Sequence, residues 1–279
     1  MTHEELQKAI WETRALQAAE RSYGVPQGVR LGPLTSTIRD GAVWTTEDQF
    51  PSDQSWADEV ERVLSFAQVQ GQFENYMGAL RGNARQRHSA LAELRVAFFF
   101  SRNQFPIVEW KPVGANGREG EFTIKTPSGT NLFVEVKSPS WEGELSDAEK
   151  TGERKQQGKY LHAEARFITP WERVQFAVDK GYSKFRSDTR NLLVIADDLF
   201  VSLEHGTNHQ AGMSLYSKNN NGSFTSTARQ SLGGVGFFWI KNNLQEVWYE
   251  MKLFLNPYAL SAVAIPEDFA KAFDAIDHA

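Results

Sequence analysis

Pro127-Ser128-Gly129 separates two runs of alternating polar and apolar residues, and no other short stretch constrains the fold of this chain so tightly. A three-residue hairpin loop closes on a left-handed residue, a conformation that glycine adopts without a Cβ clash. Pairing then runs symmetrically about Ser128, so Thr126 faces Thr130, Ile124 faces Leu132 and Glu121 faces Glu135. Opposed residues on antiparallel strands have Cβ atoms roughly 4.5–5.5 Å apart, and like charges there are destabilising. Two carboxylates set across from each other, with Lys137 two residues on, call for a compensating cation. A divalent metal is the simplest candidate.

Alternation sharpens the point. Along Asn131–Lys137, Leu132, Val134 and Val136 share one face, and Phe133, Glu135 and Lys137 share the other. On the partner strand Phe122 and Ile124 point one way, with Glu121, Thr123 and Lys125 the other way. Both glutamates and Lys137 therefore converge on one face of the sheet. Upstream, the helical segment Arg85–Arg102 carries Glu93 on a stripe with Ala90, Ala97 and Phe100. A charged residue is rarely buried unless paired or metal-bound, so a glutamate in an apolar stripe is a candidate site residue.

The stretch from Ala90 to Ala97, the strand Phe105–Lys111, Gly120-Glu121-Phe122 and Phe133-Val134-Glu135-Val136-Lys137 together resemble the PD-(D/E)XK nuclease superfamily. The resemblance implies an α/β, restriction-endonuclease-like core, a central mixed sheet flanked by helices, with a metal-dependent phosphodiesterase site at the hairpin. It assigns Glu121 to the acidic position of the second strand, and Glu135 and Lys137 to the acid and lysine of the third. Glu93 takes the place of the extra helix glutamate found in many members. The chain departs from the pattern in one respect: the usual Pro-Asp is Gly120-Glu121. On this reading Glu121, Glu135 and the Val136 carbonyl would hold Mg²⁺, with Mn²⁺ as a substitute, and Lys137 would neutralise charge developing on the phosphate.

Further residues are candidates for phosphate contact. Thr169-Pro170-Trp171-Glu172 is a helix start, with a threonine N-cap and proline at the first helical position. The helix is expected to run to about Arg186, with Val174, Ala177, Val178 and Phe185 toward the core and Arg173, Lys180 and Lys184 on another side. Lys180 and Lys184, and Arg154 and Lys155 in the polar 138–167 loop, are candidate phosphate contacts; a solvated basic face is the alternative. Asn191–Ala196 reads as a buried strand. His205 and His209 stand four apart beside Glu204, but Gly206 and Asn208 between them argue for a loop rather than a metal-binding helix.

Composition limits the alternatives. The chain has 279 residues and no cysteine, which excludes disulfides, thiol catalysis and zinc–thiolate sites. Its 30 basic and 35 acidic residues give a formal charge of −5, so the chain as a whole is no generic polyanion binder. Basic residues nevertheless gather at Arg81, Arg85, Arg87, Arg95 and Arg102, and over Lys150–Lys159. No leader pattern opens the chain and no apolar run spans a bilayer, which sets a cytoplasmic expectation without a membrane partner. Residues 1–80 are expected to form a helical N-terminal extension, with helices over about His3–Tyr23 and Ser55–Leu80, and residues 81–279 the nuclease-like domain. Its tail holds apolar segments Val235–Ile240 and Glu246–Leu255 and a closing helix over Pro266–His278. The expected partner is nucleic acid, DNA ahead of RNA, with a homodimer or a protein partner as open alternatives. Restriction or phage defence is the setting the resemblance implies. The competing expectation, from the Asp-to-Glu departure and the acidic balance, is a binding or assembly module of the same fold without catalysis. Hydrolysis of another phosphate ester is a third.

Overall fold

Apolar residues at helical spacing build the described helices up to Arg102, and the period changes to two at the hairpin. A computed structural model describes residues 29–41, 54–82, 84–138, 170–197, 212–242 and 245–277. The described elements run α1 (Pro33–Gly41), α2 (Gln54–Val69), α3 (Phe73–Leu80), α4 (Ala84–Arg102), β1 (Ile107–Trp110), β2 (Phe122–Lys125), β3 (Asn131–Lys137), α5 (Pro170–Tyr182), β4 (Asn191–Asp197), β5 (Gly234–Asn242), β6 (Val247–Leu255) and α6 (Glu267–Ala272). The strands form one six-stranded sheet in sequential order. Pairing is mixed: β2 and β3 are antiparallel, while β3 and β4 are parallel. The protein is therefore α/β. The helix expected over His3–Tyr23, with His205 and His209, lies outside the described residues.

By its contacts the chain forms two compact units, residues 1–108 with 238–251, and residues 109–237 with 252–279. In the first unit α2 and α4 bury Val60, Val63, Leu64, Leu91, Leu94 and Phe100. The single helix expected over Ser55–Leu80 is two helices. Gly71 adopts φ +68°, and the Gln72 N–H reaches back to the Ala67 carbonyl at 2.8 Å, the six-to-one bond of a glycine-terminated helix. Of the arginines gathered in this region, Arg87 and Arg95 are buried, while Arg102 is exposed. Arg87 is 1% exposed and donates from Nε to the Leu80 carbonyl and from Nη2 to that of Gly82. Arg95 makes two 2.8 Å bonds to the buried carboxylate of Glu59, which also accepts the Tyr249 hydroxyl proton. Arg81 donates to the Thr37 carbonyl, and Arg102 lies over the Phe98 ring at 5.7 Å. Burial raises the Tyr249 phenol far above its ordinary range, and the Glu59 charge adds to that.

In the second unit the hairpin is as the sequence demands. Phe122 pairs with Val134, Ile124 with Leu132 and Lys125 with Asn131, a register symmetric about Ser128. Gly129 has φ +85°, and the Thr126 N–H donates to the Thr130 carbonyl at 2.8 Å. The Asp268 carboxylate accepts the Ser128 N–H at 2.8 Å and ties the loop down. One face of β2 and β3 buries Phe122, Ile124, Leu132, Val134 and Val136, as alternation requires. The closing helix is shorter than expected. It ends at Ala272, and Ile276 leaves it to pair with Phe254 as an isolated parallel bridge.

Candidate active site

The other face of the hairpin carries the charge. The paired register ends at Phe122 and Val134, where the Glu121 N–H donates to the Val134 carbonyl at 3.2 Å, so the expected Glu121–Glu135 pair is not part of the ladder; the two carboxylates meet instead through Lys184. Three lysines surround the pair. Lys137, two residues along β3 and so on the same face, donates to Glu135 Oε1, and Lys111 donates to Glu121 Oε2. Lys184 stands between the two carboxylates, its Nζ 2.7 Å from Glu135 Oε1 and 3.4 Å from Glu121 Oε1. The glutamate side chains are 8% and 0% exposed, against 40%, 24% and 21% for Lys111, Lys137 and Lys184. Acids form the floor and ammonium groups the rim.

Backbone contacts fix these side chains. After β1 the chain turns through Lys111 at φ +51°, and the Lys111 N–H donates to the Glu121 carbonyl at 3.0 Å. The return passes through Asn116 and Gly117, left-handed at φ +55° and +71°, a dipeptide suited to tight hairpin turns. Gly120 lies under the Phe133 ring, whose Cζ stands 2.2 Å from where a Cβ would be. The residue before Glu121 therefore has no room for the proline of the superfamily pattern.

Lys184 reaches the site because α5 ends early. The helix expected to continue to Arg186 stops at Tyr182, and three-residue bonds from Lys184 N–H to Gly181 and from Phe185 N–H to Tyr182 complete the turn. The Lys184 carbonyl accepts the Ala115 N–H at 2.8 Å, and Arg118 donates to Ser183 Oγ at 2.6 Å. Gly181 lets the helix end close on β4, where a Cβ would stand 2.9 Å from Leu193 Cδ1 and 3.6 Å from Glu135 Cγ. Phe185 and Phe133 meet edge to face at 6.0 Å beside it.

Electrostatics follow from burial. Desolvation raises the Glu135 carboxyl above its ordinary value, opposed by Lys137 and Lys184 and reinforced by Glu121. Burial alone would lower the Lys184 ammonium, but Glu135 and then Glu121 outweigh it and hold the group above its ordinary value. Glu135 Oε2 is buried without a hydrogen-bond partner. An unsatisfied carboxylate oxygen in such a place is costly unless something binds it. Glu121 and Glu135 are thus the oxygen donors that could hold a hard divalent cation, which is commonly bound by one or two carboxylates with water and phosphate. Among the described residues no group of three or more His, Cys, Asp or Glu is placed for a metal.

Glu93 is half-buried on α4, in the first unit, on a stripe whose Ala90, Ala97 and Phe100 are buried as expected. Val136 is 4% exposed and lies on the apolar face of β3. Lys180 is exposed, with its Nζ 4.2 Å over the Phe176 ring. Arg154 and Lys155 lie outside the described residues. Sequence reasoning missed Lys111, which the Asn116-Gly117 turn signal brings opposite Glu121. No helix among the described residues is long and apolar enough to cross a membrane. Compared with protein-family models, curated proteins and solved structures, the chain matches none.

Proposed function

We propose that the protein is a divalent-metal-dependent nuclease of restriction-endonuclease-like fold, hydrolysing phosphodiester bonds of DNA. The observation that carries this reading is the buried pair Glu121 and Glu135, joined through Lys184, with Lys137 on Glu135 and an unsatisfied oxygen on Glu135. The two carboxylates, with the Val136 carbonyl, would hold Mg²⁺ or Mn²⁺. A bound cation of this kind polarises phosphate and lowers the pKa of water. Lys137 meets the charge that builds on the non-bridging oxygens in the transition state, where a fixed ammonium group is most effective. Lys184 and Lys111 orient the phosphate from the rim. Glu135 keeps Lys137 pointed at the site.

A second reading has specific support. Both carboxylates already carry lysine partners, the arrangement a binding or assembly module without catalysis would keep. Cleavage of plasmid DNA by wild type and by Lys137→Ala, in Mg²⁺ and in EDTA, separates the two. Metal-dependent cutting that the variant lacks supports the nuclease; metal-independent or lysine-independent cutting contradicts it.

A further inference from the structure

We propose that the cavity between α5 and the 221–229 segment is a nucleobase-binding site, with Phe176 as its stacking surface and the Gln175 amide as the donor to a base edge. The site lies away from the carboxylates and does not depend on the nuclease reading. The cavity has a volume of about 530 Å³ and belongs wholly to the second unit. Its loop wall is set by backbone packing. The Gly222 N–H donates to the Ser217 carbonyl at 2.9 Å, and a Cβ on Gly222 would stand 2.3 Å from the Leu215 carbonyl oxygen.

Two side chains define the ligand. Phe176 lines the cavity and is 50% exposed, an apolar ring left facing water. Lys180 Nζ covers one face of that ring at 4.2 Å, which leaves the other for a flat partner. Every base has a π face, so stacking on such a ring is a general way to hold one. Gln175, which also lines the cavity, accepts the Ser223 hydroxyl proton at Oε1. Its Nε2 is buried without a hydrogen-bond partner among the described residues. A buried amide donor in that state is costly until a ligand brings an acceptor. The carbonyl oxygens and ring nitrogens of base edges are such acceptors.

Other ligand classes fit less well. Asp179 and Arg229 are paired with each other, and Arg229 also lies 4.8 Å over the Tyr182 ring, so their charges are matched before an anion or a metal arrives. A sugar carries a proton on each hydroxyl and needs acceptors, but Gln175 Oε1 and Asp179 Oδ1 are already engaged. A purely apolar ligand would leave the Gln175 amide unsatisfied. A base meets the ring and the amide together. It can arrive in a nucleic acid strand or as a free nucleoside, with the same contacts. Gln175 precedes Gly181, the residue packed toward Glu135, by roughly 9 Å of helix rise, close enough for one strand to reach both places.

Fluorescence anisotropy on the full chain in EDTA tests the proposal without cleavage. The probes are a short labelled DNA strand and a strand of equal length and charge built of abasic sites. Wild type should hold the base-bearing strand more tightly by about tenfold or more, about 1.4 kcal/mol. Phe176→Ala and Gln175→Leu should abolish that preference, and Phe176→Tyr, which keeps the ring, should retain it. Phe176→Ala alters an exposed residue and keeps the test open should Gln175→Leu fold poorly. Guanosine and thymidine, titrated alone by calorimetry, identify the source. Nucleoside binding that Phe176→Ala loses supports the site with a free nucleoside as occupant; strand preference without nucleoside binding supports it with a base held in a strand. Equal binding of the two strands with no nucleoside binding overturns the proposal, as does a preference that both Phe176→Ala and Gln175→Leu retain. Binding of a disaccharide in place of bases, lost in Phe176→Ala, would make this a sugar site and overturn it too. None of these results bears on metal-dependent cutting, so the nuclease reading is tested separately.

Discussion

Substituting Gly120 tests how the hairpin is built beneath the site. A Cβ at this position would stand 2.2, 2.7 and 2.8 Å from three atoms of the Phe133 ring. Ordinary carbon–carbon contact is at about 3.5 Å, so the ring would have to retreat by roughly 1 Å. It has little room to do so, being 6% exposed and packed edge-on against Phe185. Overpacking of this kind typically costs about 1–3 kcal/mol, and Gly120→Ala should fall in that range. Gly120→Pro should cost more, because it also removes the N–H that donates to the Pro112 carbonyl at 2.8 Å. Urea unfolding followed by tryptophan fluorescence measures both. The decisive comparison is Gly120→Ala with Phe133→Leu, each alone and together. A shorter side chain at 133 clears the clash, so the pair should be less damaging than the sum by about 1 kcal/mol or more. An alanine variant within about 0.5 kcal/mol of wild type, or strict additivity with Phe133→Leu, would refute the reasoning.

Three other predictions follow from the same contacts. Arg95→Met leaves the Glu59 carboxylate buried with the Tyr249 hydroxyl alone and should lower stability by about 3–5 kcal/mol, whereas the double replacement Arg95→Met with Glu59→Leu recovers most of the loss in chemical denaturation. Burial alone would raise the Asp268 carboxyl, but the Ser128 N–H, with the Ser128 and Thr126 hydroxyls, holds it below its ordinary value of 3.8. An acid lowered in the folded state stabilises above its unfolded value, and the contribution is lost as pH falls through the folded value, so Asp268→Asn should cost stability at pH 7 and less and less below pH 3.8. An equal effect of that variant at pH 7 and pH 3 in urea midpoints would remove the carboxylate from the account. Glu135→Ala should lose Mn²⁺ binding while Lys137→Ala keeps it, as isothermal titration will show; retained binding in Glu135→Ala sinks the ligand assignment.

The hairpin was legible in the sequence because its determinants are local. Pro127-Ser128-Gly129 sets the loop, and alternation assigns Glu121, Glu135 and Lys137 to one face. Lys111 was equally local, placed by Asn116-Gly117, but that signal was not read. Lys184 was read as a candidate phosphate contact, with a solvated basic helix face as the alternative; its place between the two carboxylates depends on where α5 ends, beside the packing of Gly181 on Leu193. The same limit applies to Arg95, whose partner Glu59 is 36 residues away and invisible to any short-range pattern. Gly71 could have been recognised as a helix stop, since glycine at that point accepts the left-handed turn at little cost.

The most direct test is a cleavage assay on supercoiled plasmid, single-stranded DNA and RNA in Mg²⁺, Mn²⁺ or EDTA, with Lys137→Ala purified alongside wild type. Metal-dependent cutting by wild type, strongest on DNA and absent from the variant, is the predicted result. Cutting that persists in EDTA, or that Lys137→Ala retains in full, would contradict a metal-dependent nuclease centred on Glu121, Glu135 and Lys137.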